Sequence, residues 1–148
     1  MNSTLDSPAQ KRAQTQWTAQ FLAAAELTRR GCVVSFTMGN HTPVADLMVG
    51  IPDKRKPFWV DVKGQVGRNG WIVRSKQPRA DLYYVLVFIG RSRADDRFFI
   101  LSQQETERLS QQHKEAHPNA PKGLGGGFTW KAAEKYEDRW ETLVEISK

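Results

Sequence analysis

Between Val44 and Gln65, apolar residues recur at every second position on both sides of a short polar break. Leu47, Val49 and Ile51 alternate with Asp46, Met48 and Gly50, and Phe58, Val60 and Val62 alternate with Trp59, Asp61 and Lys63. A period of two predicts two half-buried strands. The break Pro52-Asp53-Lys54-Arg55-Lys56, followed by Pro57, predicts the turn of a hairpin. If both apolar rows share a face, the register has no freedom, because a slip of one residue turns a whole row into water. Leu47 then lies opposite Val60 and Val49 opposite Phe58, which sets Asp46 opposite Asp61 on the other face, with Lys63 beside it.

Ser7-Pro8 supplies an N-cap and a first helical position, and a helix is expected from there to Arg30, ended by Gly31. Its first turns belong to a frayed or disordered lead-in, residues 1–14, and residues 15–148 form a single domain. On a helical wheel Trp17, Phe21, Ala24, Ala25 and Thr28 share the face expected to pack on a sheet. Glu26 points nearly opposite that face, and Gln20 lies at its edge beside Leu27. A strand follows from Cys32 to Met38.

Beyond the hairpin, Gly64, Gly67 and Gly70 mark a turn-rich connection, and Trp71-Ile72-Val73 suggests a further strand with Arg74 and Lys76 alternating along it. The run from Asp81 to Ile89, DLYYVLVFI, predicts a central strand buried on both faces. A further strand, Arg97 to Leu101, leads to Ser102, which with Glu105 makes a capping box for a helix to about Ala116. Asn119 to Gly127 predicts a loop, and Phe128 to Glu145 a helix docked by Trp130, Tyr136, Trp140 and Leu143. The expected fold is α/β, a mixed central sheet flanked by helices.

The chain has 148 residues, 39% of them hydrophobic, enough for one domain with its own core. A single cysteine, Cys32, excludes an internal disulfide and fits a reducing cytoplasm. No stretch approaches ~20 apolar residues and no hydrophobic signal core opens the chain, so a cytoplasmic protein with no membrane partner is expected. The net charge of +6 is concentrated. Residues 53 to 81 carry Lys54, Arg55, Lys56, Lys63, Arg68, Arg74, Lys76 and Arg79 against Asp53, Asp61 and Asp81. A basic stretch around a carboxylate pair suits a polyanion, held by phosphate contact and counterion release.

Opposed residues of an antiparallel pair have Cβ atoms only ~5 Å apart, so two carboxylates so placed repel unless a positive charge lies between them. Mg²⁺ meets that need, since it is held by one or two carboxylates, water and substrate phosphate oxygens. A neighbouring lysine would then position or deprotonate the attacking water. The same spacing is met equally by an Asp46 that caps a strand and an Asp61/Lys63 pair on a solvated face. His113 and His117 have a metal-binding spacing, but zinc needs a third protein ligand and none is near in sequence.

Asp46, then fourteen intervening residues and Asp61-Val62-Lys63, resembles the signature of the PD-(D/E)XK nuclease superfamily, which includes restriction endonucleases and Holliday junction resolvases. The helix-strand-hairpin order from Trp17 to Gln65 is similar to that family's α-β-β-β core. Ala45 stands where the family has proline before the first acid. The resemblance implies a restriction endonuclease-like core, Mg²⁺ with Mn²⁺ as a substitute, Asp46 and Asp61 as metal ligands with the Val62 carbonyl, and Lys63 as the catalytic lysine. It also implies DNA as the partner, contacted by Lys54, Arg55, Lys56, Arg68, Arg74, Lys76 and Arg79, and a homodimer where two strands are cut. Relatives often carry a glutamate on the first helix that reaches the metal. Glu26 faces the wrong way, so Gln20 would take that place, with one negative ligand lost.

Three functions stay open on the sequence. The first is a Mg²⁺-dependent DNA endonuclease or structure-selective resolvase; the second a catalytically weak or inactive nucleic-acid-binding module on the same fold; the third an interaction or structural protein with incidental carboxylates.

Overall fold

The computed structural model describes residues 7–37, 44–53, 56–120 and 126–146. Helix α1 (Pro8–Arg29) opens on Ser7, whose side chain accepts a hydrogen bond from the Gln10 amide, and closes into Gly31 at φ +89°. The helix thus starts at the Ser7-Pro8 cap expected from sequence, and residues 8–14 belong to it. Strands β1 (Val33–Phe36), β2 (Leu47–Gly50) and β3 (Phe58–Gln65) form an antiparallel meander. Strand β4 (Leu82–Phe88) runs parallel to β3, and β5 (Arg97–Ser102) antiparallel to β4. The sheet is mixed, five-stranded and in the order β1-β2-β3-β4-β5. Helix α2 (Gln103–Ala116), helix α3 (Trp130–Ala133), a 3₁₀ turn (Glu134–Tyr136) and helix α4 (Glu141–Ile146) complete the α/β fold.

The hairpin register is the one set by its two apolar rows: Leu47 pairs with Val60, Met48 with Trp59 and Val49 with Phe58. Strand β4 is buried on both faces from Leu82 to Val87, as its continuous apolar run requires. One core lies between α1 and the sheet, with Ala19, Ala23 and Leu27 against Leu47, Val49, Phe58, Val60 and Val62. The other lies on the opposite face, where Tyr84, Leu86, Phe99 and Leu101 meet Trp71, Leu109, Phe128 and Tyr136. Among the described residues no helix is long and apolar enough to cross a membrane.

Three elements differ from expectation. Helix α1 packs its alanine face and not the aromatic one: Ala19 and Ala23 are fully buried, while Phe21 is 59% and Trp17 38% exposed. The cause is close approach, since a Cβ placed at Gly64 would lie 2.5 Å from the Ala19 Cβ, and a large side chain at position 19 has no room. Trp17 and Phe21 instead stack on each other, and Phe21 packs on Phe36 of β1. Residues 71–73 make no strand; only Trp71 bridges, exchanging two hydrogen bonds with Phe128 (2.8 and 3.0 Å), and the chain from 72 to 79 is extended but irregular. The C-terminal segment is two short helices, not one. The break falls where Glu137 bridges Phe99, the Asp138 amide donates to the Phe98 carbonyl and Asp138 takes φ +53°, which covers the outer edge of β5.

Candidate functional site

Strand β3 outruns β2. Leu47–Val60 is the last pair between them, yet β3 continues to Gln65 with β4 alone beside it. The amide and carbonyl of Val62 point toward the missing neighbour, and an unpaired backbone group there is costly. Two side chains take the place of the ladder: Asp46 Oδ2 accepts from the Val62 amide (2.8 Å), and Gln16 Nε2 of α1 donates to the Val62 carbonyl (2.8 Å). Thr37 holds Asp46 in place, its amide and Oγ1 both donating to the Asp46 carbonyl at 3.0 Å.

Beside this gap Asp61 is 3% exposed. Lys63 Nζ lies 3.2 Å from its Oδ1, and Lys76 Nζ contacts its Oδ2 while donating to the Val44 carbonyl at 2.9 Å. Tyr84, the β4 partner of Asp61 in register, walls the site. Its hydroxyl is buried with no hydrogen-bond partner among the described residues, and burial together with the Asp61 charge raises its pKa above the ordinary value. The Asp46 carboxyl is pushed up to about 6, first by burial and then by the Asp61 charge, while the Val62 amide and Lys63 pull the other way. A cleft of about 270 Å³ lined by Val44, Lys76, Gln77, Arg79 and Leu82 adjoins the pair.

The structure thus joins Asp46, Asp61, Val62 and Lys63, as the register requires. Gln20 is buried, but the α1 residue bonded to the site is Gln16, one turn earlier. Glu26 is away from it, paired with Arg30 (2.6 Å) and Arg93 (3.6 Å). The basic residues divide. Lys54 and Arg55 lie outside the described residues. Lys56 and Arg74 are exposed. Arg68 lies over the Phe88 and Trp130 rings, and Arg79 is tied to Asp81 by two hydrogen bonds and lies over Trp59. Lys76, expected on the surface as a phosphate contact, is instead inside the site. Its role and that of Gln16 carry no sequence signal, because both depend on where irregular chain and helix come to rest.

Two carboxylates beside a backbone carbonyl match the hard oxygen donors that Mg²⁺ and Mn²⁺ prefer, and the Val62 carbonyl keeps a second lone pair while bonded to Gln16. Among the described residues no three His, Cys, Asp or Glu side chains converge, so a zinc ligand set is not assembled there. Cys32 is a buried free thiol whose pKa burial raises. Comparison with protein-family models, with curated proteins and with solved structures returned no match.

Proposed function

We propose that the chain is a Mg²⁺-dependent nuclease with a restriction endonuclease-like core that hydrolyses phosphodiester bonds in DNA, with selectivity for the structure of its substrate. The observation that carries this reading is that Asp46, just past the last β2–β3 pair, caps the open edge of β3 at Val62 within electrostatic reach of Asp61, which Lys63 contacts. Asp46, Asp61 and the Val62 carbonyl would hold Mg²⁺, or Mn²⁺ in its place, which when bound stabilises charge on the phosphate. Lys63, about one third exposed, reaches solvent and positions the attacking water. Lys56, Arg68, Arg74 and Arg79 add positive charge that attracts the phosphate backbone without reading its sequence. Cutting both strands of a duplex calls for two such sites, hence a homodimer.

A second reading, a nucleic-acid-binding module without catalysis, is favoured by the two lysines that neutralise Asp61 and by the lack, among the described residues, of a third acid converging on the pair. The deciding experiment is cleavage of labelled linear duplex, single-stranded and branched DNA and of RNA, with Mg²⁺ or Mn²⁺, by the wild type, Lys63→Ala and Asp61→Asn. Metal-dependent cutting lost in both variants supports the nuclease. Equal activity in all three proteins marks a contaminant, and binding without cutting selects the second reading.

A further inference from the structure

Lys76 is built into the carboxylate centre by an irregular stretch of chain, where a strand was expected. It stands on the irregular connection between β3 and β4, yet that connection is pinned at Lys76 itself. Gln103, 3% exposed on the first turn of α2, donates from Nε2 to the Lys76 carbonyl (3.3 Å) and the Gln77 carbonyl (3.0 Å) and accepts from the Arg79 amide at 2.6 Å. Ser75 Oγ bonds both carboxylate oxygens of Glu107 at 3.1 and 3.2 Å. A lysine that only touched phosphate from the surface would need none of this.

The result is that the two oxygens of Asp61 carry two different cations, Lys63 on Oδ1 and Lys76 on Oδ2, so two carboxylates face two ammonium groups. We propose that Lys76 is a resident counter-charge of the centre, supplying from the chain the positive charge that a second divalent cation would supply, so that the centre would take up one divalent cation and not two. This rests on reading Asp46 and Asp61 as cation ligands. A fixed ammonium on Oδ2 of Asp61 offsets carboxylate charge that a second divalent cation would otherwise neutralise, and it repels any ion approaching from its own side.

The test is Mn²⁺ uptake by the full chain, measured by titration calorimetry at one pH, together with melting in EDTA and in Mn²⁺. The wild type is expected to bind one Mn²⁺. Lys76→Met, of similar length but uncharged, is expected to bind Mn²⁺ at least about tenfold more tightly or to take up two ions, because a like charge at ion-pair distance is gone. It should also melt below the wild type in EDTA and regain the difference in Mn²⁺, whereas Lys76→Arg keeps the wild-type stoichiometry. Gln103→Ala, which loosens the clamp and leaves the lysine in place, should shift affinity the same way by a smaller factor, and it serves if Lys76→Met does not fold. Equal stoichiometry and affinity in wild type and variants, or two ions in the wild type, overturns this inference alone. No Mn²⁺ uptake by any of the proteins overturns the metal centre and this inference together.

Discussion

Replacing Asp46 by Asn is expected to stabilise the metal-free protein while removing the proposed cleavage. The Asn carbonyl oxygen can still accept from the Val62 amide, so the cap on the open edge of β3 survives and only the charge is lost. Raising the carboxyl from 3.8 to about 6 corresponds to about 3 kcal/mol at ~1.36 kcal/mol per pH unit. Asp46 is half-buried, and solvent screening brings the expected gain to about 1–3 kcal/mol, or roughly 2–10 °C in Tm for a chain of this size. The sign follows from linkage. A carboxyl whose folded pKa lies above its unfolded one carries no penalty below pH ~4 and the full penalty above pH ~6. Urea denaturation in EDTA at pH 8, 6 and 4 should therefore show the Asn variant ahead at pH 8, with the advantage shrinking to nothing at pH 4. Mn²⁺ should reverse the order at pH 8, because a ligand that binds only the folded wild type stabilises it. An Asn variant less stable at pH 8, or one whose advantage persists unchanged to pH 4, would refute the raised Asp46 pKa, and with it the combined cost of burial and the Asp61 charge.

Gly64→Ala forces its new methyl against the Ala19 Cβ and to 3.1 Å from the Thr15 carbonyl oxygen, and it should cost about 1–3 kcal/mol in urea denaturation; wild-type stability would show that α1 can move aside. Tyr84→Phe deletes a buried hydroxyl without a partner and should leave stability unchanged or raise it by about 1 kcal/mol; a loss of that size would reveal a hydrogen bond to this hydroxyl. Glu26→Gln should not change cleavage, since Glu26 is engaged with Arg30 and Arg93. Gln16→Ala, which frees the Val62 carbonyl, should lower cleavage about 10–100-fold; the opposite ranking would give the helix role to Glu26.

The parts of the fold that read correctly from sequence are those governed by near neighbours. Two short apolar rows across one turn set the hairpin register, and with it the meeting of Asp46 and Asp61. Ser102 and Glu105 close the capping box at the start of α2 with bonds of 3.1 and 3.0 Å. The face of α1 was not legible, because a hydrophobic wheel ranks Trp17 and Phe21 above Ala19 and Ala23, whereas contact with Gly64 selects for smallness. Trp71 to Val73 has the composition of a strand but finds a backbone partner only at Trp71, in Phe128. The C-terminal helix breaks at Asp138 because β5 needs an edge cover, a demand that the local pattern does not carry. Lys76 escaped for the same reason: its alternation with Arg74 suggested a surface strand, and only the Gln103 clamp turns it inward.

Chain order gives the Gln103 clamp a consequence in time. Asp46, Asp61 and Lys63 all belong to one hairpin, complete in sequence by Gln65, while the residue that holds Lys76 is not synthesised until position 103. At ~5–20 residues per second, a few seconds of translation separate the two. Throughout that interval the carboxylate centre holds Asp46 and Asp61 with Lys63 alone, and Lys76 is fixed beside them only when the second half of the chain arrives.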